Sequence, residues 1–115
     1  MSMIKNIRQE TVLPLADEVS VQAGQVVSKT LAQNDSVSVT LFAFDKGEEI
    51  STHKSEGDAM VLVLSGTGRI TVNGIAHLLS AGQTIVMPAG KPHAVYAQEA
   101  FKMLLTVIFP QDSEK

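Results

Sequence analysis

Short apolar runs recur along the whole chain and are separated by Gly, Pro, Asn and Asp. The runs are rich in Val, Ile, Thr and Phe, and a helical period is hard to find in them. This pattern predicts an all-β protein made of short strands, either as a closed barrel or as two packed sheets. The predicted strands are Val19–Gln22, Val26–Ala32, Val37–Asp45, Glu49–Ser55, Ala59–Ser65, Gly68–Val72, Ile75–Leu79, Thr84–Met87, His93–Ala97 and Phe101–Phe109.

Two of the predicted connections carry turn residues. Asn73-Gly74 lies between two apolar runs, and both residue types accept the positive φ angles that a two-residue hairpin requires. Asn34-Asp35 is expected to make a similar turn between the second and third predicted strands.

Two of the predicted strands are apolar on both faces, Met60–Leu64 and Met103–Phe109. Successive side chains of a strand point to opposite faces, so a strand of a small sandwich should carry one polar side. Something must therefore cover the outer face. We expect a homodimer interface there, and the alternative is cover by the N-terminal segment of the same chain.

Composition narrows the class of protein. A chain of 115 residues fits one domain, here residues 1–115, with residues 110–115 expected to be a flexible tail. The apolar fraction of 44% against 18% charged residues is typical of a folded protein rather than a disordered one. A net charge of −3 without a Lys/Arg cluster argues against nucleic acid as a partner.

Cysteine and long apolar segments are both absent from the sequence. Without cysteine there are no disulfides or thiolate ligands, so any metal must be held by nitrogen and oxygen. No apolar run approaches the roughly 18 residues of a membrane span, and the first 15 residues lack the apolar core of a signal peptide. We therefore expect a cytoplasmic protein without a membrane partner.

The three histidines, His53, His77 and His93, are the main candidates for chemistry. His53 follows Gly47 after five intervening residues, in a stretch that also carries four carboxylates, and Gly66 ends the next predicted strand. His93 closes a second motif with the sequence GQTIVMPAGKPH, which begins at Gly82.

The spacing of these glycines, of Pro88 and of the two histidines resembles the paired signature of the cupin superfamily over about residues 47–97. That resemblance implies a jelly-roll barrel, also called a double-stranded β-helix. In a typical metal-binding cupin the first motif supplies two histidines and a glutamate, and the second supplies one more histidine. Carried over, the resemblance implies His53 and His93 as metal ligands. Ser55 stands where the second histidine would be, Ala59 where the glutamate would be, and Ala97 where the second motif ends in asparagine.

Two histidines alone hold a divalent metal weakly, because most catalytic sites use three strong protein ligands. Asp58, Glu56 and His77 are the candidates for additional ligands. Strand alternation places Asp58 outward if Ala59 faces inward, and a single histidine on an apolar face is more often a core residue. The identity of a metal among Zn, Fe, Mn and Ni is not decided by these residues, and a site without a cofactor is equally consistent with them.

Strand alternation also predicts an apolar binding pocket in the mouth of the barrel. We expect it to be lined by His53, Ser55, Ala59, Val61, Val63, Met87, His93 and Val95, with Phe42, Phe44 and Met103 as further candidates. Arg69 is a candidate for an inward position, whereas Tyr96 is expected to point away from His93. Such a pocket fits a small, mostly apolar ligand.

Three functions are consistent with this site. The protein binds a small molecule; or it is a metal-dependent oxygenase, isomerase or lyase; or it is a metal-free enzyme in which the two histidines serve as acid and base. Fold alone does not choose among them, because one fold hosts many chemistries.

Overall fold

A computed structural model describes residues 3–111, and the described part of the chain contains nine strands and one short 3-10 helix at Leu15–Glu18. The first five strands are β1 (Val26–Gln33), β2 (Val37–Phe44), β3 (Glu49–His53), β4 (Asp58–Ser65) and β5 (Thr67–Val72). The remaining four are β6 (Ile75–Ser80), β7 (Thr84–Met87), β8 (His93–Ala97) and β9 (Phe101–Ile108). The all-β prediction is confirmed.

The strands form two antiparallel sheets, with the order β1-β2-β9-β4-β7 in one and β3-β8-β5-β6 in the other. Neighbours that are distant in sequence, such as β2 with β9 and β3 with β8, are typical of a jelly roll rather than a meander. The predicted jelly-roll architecture is therefore confirmed. Nine of the ten predicted strands exist, with bounds that differ by at most two residues.

The predicted strand Val19–Gln22 is wrong. This segment follows the 3-10 helix and pairs with no strand. Val19 instead packs as a side chain against Leu31, Leu41 and Ala43 on the outer face of the larger sheet. The apolar residues of this segment therefore cover a sheet instead of forming one of its strands. Both roles require the same apolar composition, so the sequence alone does not distinguish them.

The two turn predictions agree with the structure. Asn73 and Gly74 have φ angles of 51° and 83°, as a tight hairpin between β5 and β6 requires. The Asn34 side chain accepts hydrogen bonds from the backbone N–H groups of Ser36 and Val37, at 2.7 and 3.0 Å. An Asx-type contact of this kind fixes the turn between β1 and β2.

The core lies between the two sheets. Phe44 and Phe101 stack at its centre with ring centroids 4.7 Å apart, and Ile70 faces them from the smaller sheet. Gly66 has a φ of 74°, and a side chain there would meet the carbonyl oxygen of Ala100. Only glycine therefore lets the connection from β4 to β5 pass this closely over the start of β9.

The outer face of the larger sheet is covered at one end by the chain's own N-terminal segment. Ile7, Leu15, Val19 and Val21 pack there, against a set that includes Leu64 of β4 and Leu104 of β9. At this end, the outer face is therefore covered by the N-terminal segment of the same chain, which was the alternative to a homodimer interface.

The other end of that outer face remains open. Met60, Val86 and Ile108 are exposed to 46%, 52% and 57% and lie on adjacent strands of the sheet. The homodimer stays a prediction, and its surface is now confined to this end. No helix in residues 3–111 has the length and hydrophobicity needed to cross a bilayer. The predicted flexible tail lies mostly outside the described residues, which end at Gln111.

Candidate functional site

A cavity of about 280 Å³ opens between the two sheets at the end where β3 and β8 face β4, β7 and β9. Its wall is apolar over most of its area and polar at one end. The wall consists of Phe42, Ile50, His53, Lys54, Ser55, Ala59, Met87, His93, Val95, Leu105 and Val107. Nine of these residues belong to strands of the two sheets, and Lys54 and Ser55 lie in the connection that follows β3.

His53 and His93 meet at the polar end of the cavity. They are partners in the antiparallel pairing of β3 with β8, and their Nε2 atoms are 3.0 Å apart. The ring centroids lie 4.3 Å apart with an interplanar angle of 75°. The two histidines of the sequence motifs therefore converge on one point, as the resemblance implied.

An irregularity in β3 makes this meeting possible. Ile50 pairs with Val95 and His53 pairs with His93, so three steps along β3 correspond to two steps along β8. In a regular strand, Ile50 and His53 would point to opposite faces, because side chains alternate. The additional residue in β3 is a bulge that lets both side chains line the cavity.

Both imidazole rings are held by their own strands. The Nδ1 atom of His53 lies 2.9 Å from the carbonyl oxygen of Ser51, and that of His93 lies 3.2 Å from the carbonyl oxygen of Lys91. A carbonyl oxygen can only accept, so each Nδ1 carries a hydrogen and donates it. This assignment of hydrogens follows from the hydrogen-bond partners. It leaves both Nε2 atoms directed at each other.

The two histidines differ in their exposure. His93 is 3% exposed, whereas His53 is exposed at the cavity mouth. Burial lowers the pKa of His93 below the ordinary value of 6.5, and the adjacent His53 lowers this pKa further. The Lys91 carbonyl opposes both effects by accepting a hydrogen bond from the His93 ring. Without a ligand, His93 therefore resists protonation.

The structure brings together most of the predicted pocket residues. His53, Ser55, Ala59, Met87, His93 and Val95 line the cavity, and so does Phe42. Val61 and Val63 face the same interior but do not line the cavity; they are packed in the core, as are Phe44 and Met103. Alternation predicts which face a residue occupies but not its depth, and the large side chains of the core fill the interior beyond the cavity.

The candidate additional ligands do not join the histidine pair. His77 is exposed on β6 and lines a different groove, with Gln83 and Thr84. Asp58 is exposed, as alternation predicts, and accepts a hydrogen bond from the backbone N–H of Ala89 at 2.8 Å. Glu56 lies in another groove beside Asn34 and Phe109.

The residues of the cavity do not fit the metal centre that the resemblance implied. Among residues 3–111, no group of three or more His, Cys, Asp or Glu side chains could hold a metal ion. Ser55 lines the cavity, but its Oγ accepts a hydrogen bond from the backbone N–H of Gly57 at 3.1 Å. Ala59 offers no ligand atom. The Nε2 atoms of His53 and His93 are the metal-ligand atoms that remain in the cavity wall.

Arg69 and Tyr96 pair with each other outside this cavity. The guanidinium carbon of Arg69 lies 4.5 Å from the centroid of the Tyr96 ring, and both residues line a shallow groove with Glu49 and Thr71. The candidate inward position of Arg69 is therefore wrong, since Arg69 is exposed and does not line the histidine cavity. Tyr96 points away from His93, as expected from strand alternation.

Sequence reasoning missed four residues of the cavity wall: Lys54, Ile50, Leu105 and Val107. Leu105 and Val107 share a strand face with Met103, so alternation along β9 could have identified them. Ile50 and Lys54 could not be found in this way, because the bulge in β3 changes the alternation before His53 and the strand ends directly after it.

Comparison with known proteins agrees with this architecture. A conserved protein of unknown function from Streptococcus pyogenes is 50% identical, with 96% of this chain and 97% of that chain covered and a TM-score of 0.94. A cupin superfamily protein from Desulfitobacterium hafniense is 36% identical, with coverages of 95% and 100% and a TM-score of 0.90. A Cupin 2 conserved barrel domain protein from Leptotrichia buccalis is 42% identical over 82% of this chain and 46% of that chain, with a TM-score of 0.80.

Comparison with curated proteins gives no match. The family model described as the cupin domain matches residues 40–109, which is more than half of the chain and includes both histidine motifs. Together with the jelly roll and the converging histidines, this match shows that the chain belongs to the cupin family.

Proposed function

We propose that this protein binds a small, mostly apolar molecule in the cavity between its two sheets. One observation carries the proposal: an apolar wall ends at two histidine rings whose Nε2 atoms lie 3.0 Å apart. Ligand sites are typically concave and apolar, with a few polar groups that fix the orientation of the ligand. The cavity has this composition.

The size of the cavity limits the ligand. An engineered apolar cavity of about 150 Å³ accommodates benzene, and the volume here is about 280 Å³. A substituted six-membered ring or a short branched chain would fill this space. The thioether of Met87 lies in the wall and can adapt to the shape of such a ligand.

A cavity-filling variant tests the proposal. Ala59 is buried in the wall, so Ala59→Leu would occupy the space, whereas Ala76→Leu adds the same atoms to an exposed position on β6. Toluene and benzyl alcohol serve as probes, and the melting temperature is measured with and without each probe. A molecule that binds only the native state raises this temperature.

We expect at least one probe to stabilise the wild type and the Ala76→Leu variant but not Ala59→Leu. The melting temperature of each variant without a probe checks that it folds. Equal stabilisation of Ala59→Leu and the wild type would contradict binding in this cavity, and so would a lack of stabilisation by either probe.

A divalent metal at His53 and His93 is the second candidate, as in a metal-dependent oxygenase, isomerase or lyase. It is favoured by the anchoring of each Nδ1 to a carbonyl, because metal-binding histidines are usually oriented by a hydrogen bond from the other ring nitrogen. The lack of a third ligand among the described residues weighs against it.

Elemental analysis tests the second candidate. Protein purified without chelators is compared with the His53→Ala, His93→Ala double variant and with His77→Ala as a control. Stoichiometric metal in the wild type and in His77→Ala, lost in the double variant, would support a metal site. Its absence from all three proteins would remove this candidate.

A further inference from the structure

A groove larger than the histidine cavity lies where the N-terminal segment runs beside β1. The backbone N–H of Lys5 donates a hydrogen bond to the carbonyl oxygen of Leu31 at 2.7 Å, which holds the segment at this edge of the larger sheet. The groove has a volume of about 650 Å³ and a mostly apolar wall that includes Met3, Ile4, Ile7 and Leu31. Met3 and Ile4 are exposed to 87% and 56%, so the apolar wall of the groove faces water. Exposed apolar surface of this kind marks a site of interaction.

A row of paired residues runs from this groove to the open end of the larger sheet. It consists of Ala32, Val39, Thr106, Met60 and Val86, each of which pairs with the next on the neighbouring strand. Directly paired side chains lie on the same face of a sheet, and Val39 packs with the cluster on the outer face. Neighbouring strands are about 4.8 Å apart, so β1 and β7, at the two margins of this face, are about 19 Å apart.

The two margins of this outer face differ in height. At the β1 margin the N-terminal segment stands above the sheet and forms the groove, whereas at the other margin Met60 and Val86 project from a bare sheet. Thr106 lies between the margins on β9, the middle strand of the five. A two-fold axis near Thr106 would bring the groove of one copy over the bare margin of the other, and the same contact would form twice.

The charges at the two margins are complementary. Arg8 lies in the groove wall, and Asp58 lies on the same strand face as Met60, at the bare margin. Neither takes part in an ion pair within residues 3–111, and the same is true of Glu10 in the groove wall. One oxygen of Asp58 accepts a hydrogen bond from the backbone N–H of Ala89 at 2.8 Å, which leaves the other oxygen for a cation.

We propose that the groove of the N-terminal segment is the docking site for a second copy of this chain. The partner inserts its Met60 and Val86 side chains into the groove and places its Asp58 carboxylate beside Arg8. The distribution of exposed apolar side chains supports a second copy as the occupant. Among residues 3–111, five of the eight large apolar side chains that are exposed lie in the groove wall or at the bare margin: Met3, Ile4, Met60, Val86 and Ile108.

Cysteine cross-linking tests this contact, because the chain has no cysteine of its own. The Ile4→Cys, Val86→Cys variant carries one thiol at each margin of the outer face. A short bismaleimide does not span the distance of about 19 Å between the margins of one copy, so it joins these thiols only between copies. We expect a covalent dimer on a denaturing gel. The Ile4→Cys, Ile75→Cys variant is the control and should remain monomeric there, because Ile75 is exposed on β6 of the other sheet.

Charge reversal tests the proposed ion pair. Arg8→Glu and Asp58→Lys should each raise the dissociation constant of the dimer about fivefold or more, as measured by sedimentation equilibrium, because each places like charges together. The double variant restores opposite charges and should return the constant to within about twofold of the wild type. Lys46→Glu, at an exposed position in the connection from β2 to β3, should leave the constant unchanged. Glu10→Gln should not weaken the dimer, since it removes a negative charge from the groove that receives Asp58.

The outcomes separate this docking mode from dimer formation in general. A dimer that cross-links no better than the Ile75 control overturns the docking mode, and so do single charge reversals that leave the dissociation constant unchanged. A wild type that is monomeric at micromolar concentration overturns both the docking mode and the dimer. The function proposed for the histidine cavity is independent of these results, because none of the substituted residues lines that cavity.

Discussion

The Nε2 atom of His53 lies 3.0 Å from the Nε2 atom of His93, although 40 positions separate the two residues in sequence. Pairing of β3 with β8 produces this contact, and the bulge between Ile50 and His53 turns the first ring inward. The contact joins the two cupin motifs at the polar end of an apolar cavity. Four predictions follow from the histidine pair and from the sheets that hold it.

Acid should destabilise the folded protein through His93. Its pKa is lowered from 6.5 in the folded state, first by burial and then by His53, so the unfolded chain binds a proton at higher pH than the folded chain. The free energy of unfolding should therefore be largest above pH 6.5 and decrease as the pH falls through the folded pKa. Urea denaturation at a series of pH values measures this dependence.

The His93→Gln variant isolates the contribution of His93 to this pH dependence. Its free energy of unfolding should change less between pH 7.5 and pH 5, about one to two units on either side of the ordinary histidine pKa. The His77→Gln variant should behave as the wild type, because His77 is exposed on β6. Identical pH profiles for wild type and His93→Gln would contradict the assignment.

Phe44 should contribute strongly to stability. It is fully buried and stacks on Phe101 at 4.7 Å, so Phe44→Ala would leave a cavity in the core. We expect a loss of about 3–5 kcal/mol in the free energy of unfolding. Ile75→Ala removes an exposed apolar side chain on β6 and should cost about 0.5 kcal/mol or less. Similar costs for the two variants, measured by chemical denaturation, would show that the core is not centred on Phe44.

Two glycines with similar backbone angles should differ in their tolerance of alanine. Gly66 and Gly82 have φ angles of 74° and 88°, so alanine at either position costs about 1–2 kcal/mol in backbone strain. At Gly66 the new methyl group would also meet the Ala100 carbonyl, whereas at Gly82 it would enter open space. Gly66→Ala should therefore be the more destabilising variant in thermal unfolding, and the reverse order would contradict the close approach.

The open end of the larger sheet should be the dimer surface. Met60, Val86 and Ile108 form an exposed apolar patch on the outer face of adjacent strands, and monomeric proteins rarely expose large patches of this kind. Sedimentation analysis should give a dimer for the wild type and a monomer for Met60→Lys. Leu78→Lys, at an exposed position on β6 in the other sheet, should remain a dimer. A monomeric wild type at micromolar concentration would remove this prediction.

Much of the fold could be predicted because its signals are local. Alternating apolar and polar residues mark the inner positions of strands such as β5, and Asn73-Gly74 marks a hairpin whatever surrounds it. The motif glycines and both histidines also predict the family. The same local signals failed at Val19–Gln22, because an apolar segment that covers a sheet resembles one that pairs within it.

The sequence by itself determined the strand pattern, the all-β class and the two histidine motifs, because each depends on residues that are close along the chain. Tertiary structure decided which side chains meet. The bulge in β3 placed Ile50 and His53 in one cavity, and the pairing of β3 with β8 placed His53 against His93. The tertiary structure also placed His77, Asp58 and Glu56 outside that cavity. Contacts of this kind depend on register and on the packing of distant strands, which alternation along a single strand does not specify.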